Sequence, residues 1–182
     1  MSWRNTASRY GWLSIGLHWV MLLLLAAVYA CMELRSSFPK GSGLREDLKT
    51  WHFMLGLSVL VLVSVRMLVR FVGTTPLDAT AMPQWQKVLS KLMHAALYAL
   101  MISMPILGWV ILSADGRLIP FFGLELPLLV AERSAVAEWA EETHETVGTV
   151  GYFLVGLHAT AALVHHYVMR DNVLRRMLPV SR

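Results

Sequence analysis

Residues 144–166 read HETVGTVGYFLVGLHATAALVHH, an apolar run of membrane-spanning length that nevertheless carries four histidines. On a helix of 3.6 residues per turn, His144, Gly148, Gly151, Val155, His158, Ala162 and His165 fall on one stripe. His158 follows His144 by fourteen residues, so at 1.5 Å per residue their levels differ by about 21 Å. Hydrocarbon makes polar side chains costly, which gives histidines there more meaning than in a soluble core. Two imidazoles on one face at opposite depths, with small residues between them, suit two stacked flat prosthetic groups. The rest of the chain must then supply the opposite ligands.

The composition agrees with a bilayer as solvent. Of 182 residues 56% are hydrophobic and 15% charged, whereas about a quarter of a soluble domain is charged. Four segments are long enough to cross the hydrocarbon, at about 11–32, 50–71, 92–114 and 146–169. Each must be a helix, because an isolated strand leaves its backbone groups unsatisfied in lipid. The expected fold class is therefore an all-α membrane protein, a four-transmembrane-helix bundle, with residues 1–182 forming a single domain. The single Cys31 excludes an internal disulfide, and the absence of a CxxCH run argues against covalently attached haem.

The net charge of +4 says less than the distribution of the charges. One side of the four spans carries Arg4, Arg9, Arg66, Arg70, Lys87, Lys91, Arg170, Arg175, Arg176 and Arg182, against only Asp78 and Asp171. The other side carries six basic and ten acidic residues. The positive-inside rule places both termini in the cytoplasm. The basic excess is a topology signal, and nucleic acid is not an expected partner.

Arg4 and Arg9 ahead of an apolar run ending AAVYAC resemble a signal peptide, but residues 11–32 stay uncharged for longer than the 7 to 15 residues of a signal core. His18 sits in this first span towards its cytoplasmic end. Residues 33–49 read as a short polar extracytoplasmic loop. The second span opens with WHFMLG, so His52 lies near the outer surface at a level comparable with His144. Gly56 follows His52 by four residues as Gly148 follows His144, leaving room for a porphyrin edge on each ligand's own face. Arg66 and Arg70 lie below His52 near the cytoplasmic boundary, either as snorkelling charges or as partners of a haem propionate. Lys87 and Lys91 open the third span, with His94 one turn inside it. The acidic connection that follows contains SAVAEWAEE, a helix-forming run leading into the fourth span, and Trp109 and Trp139 suit an aromatic belt on that side.

Depth pairs the histidines. His52 with His144 brackets an outer haem, and His18 with His158 an inner one. Two imidazoles leave the iron no open position, which suits electron transfer rather than oxygen binding. Each second ring nitrogen should donate to a carbonyl or hydroxyl that orients it. A four-histidine metal transporter would need clustered ligands and intramembrane carboxylates, which these spans lack. His94 and His165 share a depth near Lys91 and suit the carbonyl oxygens of a quinone, since histidine can relay the protons that quinone reduction consumes. His166 points about 100° from the stripe and reads as an interfacial residue.

With LHW around His18, the MELRSSFPK segment, WHFMLG around His52, KLMH at His94 and GYFLVGLHATAALVHHYVMRDNVLRRMLP, the sequence resembles the bacterial cytochrome b561 family over nearly its whole length, and within it the superoxide oxidase members. The resemblance implies four helices in the bacterial inner membrane and two b-type haems with iron ligands His18, His52, His144 and His158. It also implies that superoxide is oxidised to oxygen outside and that each electron passes through the haems to ubiquinone. Ten acidic against six basic residues leave the outer surface at −4, so attraction of the anion must be local, with Arg35, Lys40, Arg45 and Lys49 as candidates. The competing reading is an electron-carrier cytochrome b subunit serving a hydrogenase or formate dehydrogenase, which shares the haem ligands and adds a redox partner protein. The ascorbate-dependent eukaryotic relatives have six helices, against four spans here.

Overall fold

The computed structural model describes residues 3, 5–6, 10–74 and 83–178. Arg4, Arg9, Asp78 and Arg182, four of the charges that set the expected topology, lie outside these residues. Four helices are long and apolar enough to cross a membrane: α1 Trp12–Ser36, α2 Gly43–Val72, α3 Gln84–Ala114 and α4 Ser134–Tyr167. Their outer faces display large apolar side chains, with Leu23 69% and Phe153 74% exposed. Such surfaces belong against lipid rather than water.

The helices pack in chain order, α1 on α2, α2 on α3 and α3 on α4. Met21, Val59, Val63 and Met101 form the buried centre, with Leu25, Val28 and Leu97 around them. The ring of helices closes between α1 and α4 through long side chains: Tyr29 and Glu33 reach α4, and the His18 ring faces that of His158.

Both ends are tied by polar contacts. The Asn5 side chain accepts hydrogen bonds from the Gly11 N–H and the Ser14 hydroxyl, each at 2.8 Å, satisfying a free amide at the start of α1. Thr74 at the end of α2 donates to the Asn5 carbonyl. After α4 the chain folds back through a 3₁₀ turn, Arg175–Met177, and the Trp19 indole N–H donates to the Met177 carbonyl at 2.6 Å.

Three boundaries depart from the sequence expectation. The loop expected over residues 33–49 shrinks to residues 37–42, because α1 continues to Ser36 and α2 starts at Gly43. Arg45 makes this tight turn possible, donating from Nη1 to the carbonyls of Arg35 and Phe38 at 2.9 and 2.8 Å and so capping α1. The third helix starts at Gln84, ahead of the expected 92, which puts His94 well inside it. The fourth helix starts at Ser134, ahead of the expected 146, because SAVAEWAEE is helical and runs into the span as its composition suggested.

The fourth difference is a β-hairpin, β1 Ile119–Phe121 and β2 Leu124–Leu126, antiparallel with Ile119 opposite Leu126. Phe122 and Gly123 have φ of 48° and 86°, the two positive values that a type I′ turn requires. Ile119 is fully buried with Leu57 and Leu112, which fastens the hairpin onto the middle of α2 and the end of α3.

Candidate functional site

At the hairpin end of the bundle, His52 of α2 faces His144 of α4. Their ring centres are 6.1 Å apart and the rings are inclined at 73°. The His52 Nδ1 lies 3.0 Å from the Val28 carbonyl of α1. A carbonyl can only accept, so Nδ1 carries the hydrogen and Nε2 keeps its lone pair. The His144 Nδ1 is buried beside the Met104 carbonyl without closing a hydrogen bond. A cavity of about 400 Å3 lies between the two rings, reached by His52, Gly56, Met104, His144 and Gly148. A Cβ added at Gly56 would meet nothing within 4 Å, so this glycine faces open space as expected.

At the other end His18 of α1 faces His158 of α4, with ring centres 6.2 Å apart and planes at 70°. His94 of α3 approaches the same His158 ring at 5.5 Å and 80°, its Nδ1 held at 2.6 Å from the Ser90 carbonyl one turn earlier. Arg66 acts electrostatically on both His18 and His158. Its Nε donates to the Tyr98 hydroxyl at 3.2 Å, while its buried Nη1 has no partner.

These distances permit a test of whether a metalloporphyrin fits. Imidazole–metal bonds of about 2.0 Å, with about 1.1 Å from each nitrogen to its ring centre, put two facing ring centres about 6.2 Å apart. Both pairs match, at 6.1 and 6.2 Å. His94 at 5.5 Å from His158 falls short of that span, so His18 is the better partner. Among the described residues no three His, Cys, Asp or Glu side chains converge on one metal position, and facing pairs are the arrangement present. The orphaned Arg66 nitrogen is the donor a propionate beside the inner pair would use.

Other expected residues separate. Gly151 is a packing glycine rather than clearance for a prosthetic group: a Cβ there would collide with the Tyr29 hydroxyl and come within 3.2 Å of Leu100. The Tyr29 hydroxyl donates to the Gly148 carbonyl at 2.9 Å. Arg70 and Lys91 are exposed, and no hydrogen bond or ion pair joins them to another of the described residues, as for snorkelling charges. No hydrogen bond or ring contact joins His94 to His165. Instead the His165 Nδ1 donates to the Asp171 carboxylate, which also accepts the Val173 N–H at 3.0 Å. Burial pushes the Asp171 carboxyl upward, but the bonds from Val173 and His165 outweigh it and hold the group below the ordinary aspartate value. His166 stacks edge-on with Tyr167, and its Nδ1 is enclosed without a partner rather than open to headgroups.

The basic candidates of the first outer connection also divide. Arg45 is spent on the α1 cap, and Lys40 is exposed. Arg35 has a buried Nε without a partner and acts electrostatically on His52. Lys49 lies over the Phe53 ring at 5.9 Å and feels both Arg35 and Arg117. Arg117, Tyr98 and Asp171 were not singled out from sequence. Tyr98 follows His94 by one turn, a signal available there, whereas Arg117 reaches the site only through the hairpin.

Four membrane-crossing helices with imidazoles facing in pairs define a membrane cytochrome b. The match is to the family model for prokaryotic cytochrome b561, over residues 9–180, and the chain belongs to that family of haem b electron-transfer proteins of the bacterial inner membrane. Cytochrome b561 homolog 1 of Escherichia coli (strain K12) is 37% identical over 172 residues, 94% of this chain and 98% of that protein. A protein of Yersinia pestis named probable superoxide oxidase CybB is 35% identical over 174 residues, 96% and 98% of the two chains. Cytochrome b561 homolog 2 of Escherichia coli (strain K12) is 28% identical over 182 residues, 100% and 97% of the two.

Proposed function

We propose that the chain, as one domain with both termini in the cytoplasm, is a superoxide:ubiquinone oxidoreductase holding two b-type haems. The observation that carries the reading is the presence of two histidine pairs, one at each end of one bundle, with ring centres 6.1 and 6.2 Å apart. Haem held between two imidazoles has no free coordination position and supplies one-electron transfer. His52 and His144 hold the outer group, and His18 and His158 the inner one. The Val28 carbonyl fixes the tautomer of His52, and Arg66 offers its free nitrogen to an inner propionate.

The donor is proposed from the relative named as a probable superoxide oxidase. Arg35 and Lys49, with Arg117 close by, give a local positive field beside His52 on a surface that is otherwise acidic. Two superoxide anions each give up one electron to leave as oxygen. Ubiquinone takes two electrons and two protons to become quinol, and His94, His165 and Lys91 mark the inner end as the place for it.

The test is stopped-flow mixing of the oxidised, haem-loaded protein with superoxide, followed by ubiquinone. Rapid appearance of the reduced haem spectrum and its loss on adding quinone is the expected result. No reduction by superoxide, with reduction by a copurifying dehydrogenase or hydrogenase instead, would establish the electron-carrier subunit in its place.

A further inference from the structure

His165 and Asp171 form a carboxylate–imidazole pair at the proposed cytoplasmic end that no part of the haem sites uses. His165 lies seven residues beyond His158 on the same stripe of α4, about 10.5 Å further along the axis. Its side chain is 20% exposed and that of Asp171 18% exposed, so the pair is sheltered yet not sealed from water. The Asp171 carboxylate takes up Nδ1–H, which leaves Nε2 as the only ring nitrogen able to exchange a proton with another molecule. The backbone supports the arrangement. The Asp171 N–H donates to the His165 carbonyl at 3.0 Å and Asp171 Oδ1 accepts the Val173 N–H, so the carboxylate is held by the backbone as well as by the ring.

We infer that Asp171 is the positioning residue that holds the His165 ring for the proton transfers to quinone assigned to it above. This rests on the quinone reading above. In the step, the protonated ring breaks its Nε2–H bond as an O–H bond forms on a quinone oxygen that has received an electron. The ring regains a proton from cytoplasmic water, and two such transfers with two electrons complete the quinol. Asp171 acts by orienting the ring and fixing its tautomer. His166 on α4 acts electrostatically on Asp171, and Arg170, Arg175 and Arg176 lie in the same segment of sequence. α1 brings Trp19, which is uncharged.

The experiment starts from haem-loaded protein already reduced with dithionite, which makes it independent of the physiological donor, and follows haem reoxidation by ubiquinone-1. His165→Gln should slow reoxidation about 100-fold and Asp171→Asn about tenfold, with superoxide-driven haem reduction and the haem spectrum unchanged. Asp171→Glu, which keeps a carboxylate for the ring, should restore most of the rate lost in Asp171→Asn. Histidine side-chain ¹⁵N NMR of the oxidised protein should show the His165 Nδ1–H signal and lose it in Asp171→Asn. Asp171→Asn that reoxidises at the original rate, or that keeps the His165 Nδ1–H signal, would overturn the positioning role of Asp171 while leaving the quinone reading intact. His165→Gln at the original rate would remove His165 from the quinone site and leave that site to His94 and Lys91. An unsubstituted protein that ubiquinone-1 does not reoxidise would overturn both.

Discussion

The Tyr29 hydroxyl of α1 donates to the Gly148 carbonyl of α4 at 2.9 Å, and it occupies the space that a side chain at Gly151 would fill. Together with Glu33, which accepts from the Tyr152 hydroxyl, Tyr29 closes the α1–α4 seam beside the outer histidine pair, and two glycines on α4 receive it. Gly148 gives a half-buried carbonyl that no side chain of its own shields, and Gly151 gives room.

Gly151→Ala should therefore destabilise the protein by about 1–3 kcal/mol through overpacking, and Tyr29→Phe by about 1 kcal/mol through the lost hydrogen bond. Removing the hydroxyl also removes part of the collision, so the double variant should be less destabilised than the sum of the two. Thermal unfolding in detergent measures all three. Strict additivity would mean that the two residues do not share this contact.

His144→Ala should abolish one haem spectral component and spare the other, and His18→Ala should do the reverse. Haem content by pyridine haemochrome should fall from two per chain to about one in each variant. Loss of the same component in both would refute the pairing by depth.

Arg66 and Arg70 should behave differently although only one turn separates them. Arg66→Leu removes the cation nearest the inner pair, and it should lower the midpoint potential of the component lost in His18→Ala by about 60 mV, the equivalent of 1.4 kcal/mol for one electron. Arg70→Leu should leave both potentials in place. Redox titration monitored by visible absorbance distinguishes them.

The strap after α4 should respond to acid with a definite sign. The Asp171 carboxyl is held below its ordinary value, so its contribution to strap docking is present above the ordinary aspartate range and is lost as pH falls through the folded value. At neutral pH, trypsin should cut at Arg175–Arg176 roughly three- to tenfold faster in Asp171→Asn than in the unsubstituted protein. The unsubstituted strap should become comparably sensitive only in strong acid, where pepsin replaces trypsin as the probe.

The sequence made the four spans legible because twenty-residue apolar runs have few other uses, and it made the histidine levels legible because helix rise is constant. It did not reveal contacts made by residues from different helices at one level. Gly151 lies on the histidine stripe and reads as clearance until Tyr29 is seen arriving from α1. Arg45 reads as a free surface charge until the turn at residues 37–42 shows which carbonyls it satisfies. Arg66 and Arg70 look alike until Tyr98 on α3 selects the first of them. The hairpin was hidden for a different reason: three-residue strands are too short for alternation to register, and its only local sign was Gly123 after Phe122.

α4 runs without interruption from Ser134 to Tyr167 and carries one ring of each facing pair. It is consequently a ruler with two graduations. One residue inserted between His144 and His158 would move one ring about 1.5 Å along the bilayer normal and swing it about 100° around the helix, out of register with its partner on α1 or α2. Between those two positions side chains away from the packed glycines can be exchanged, but the chain cannot change its length.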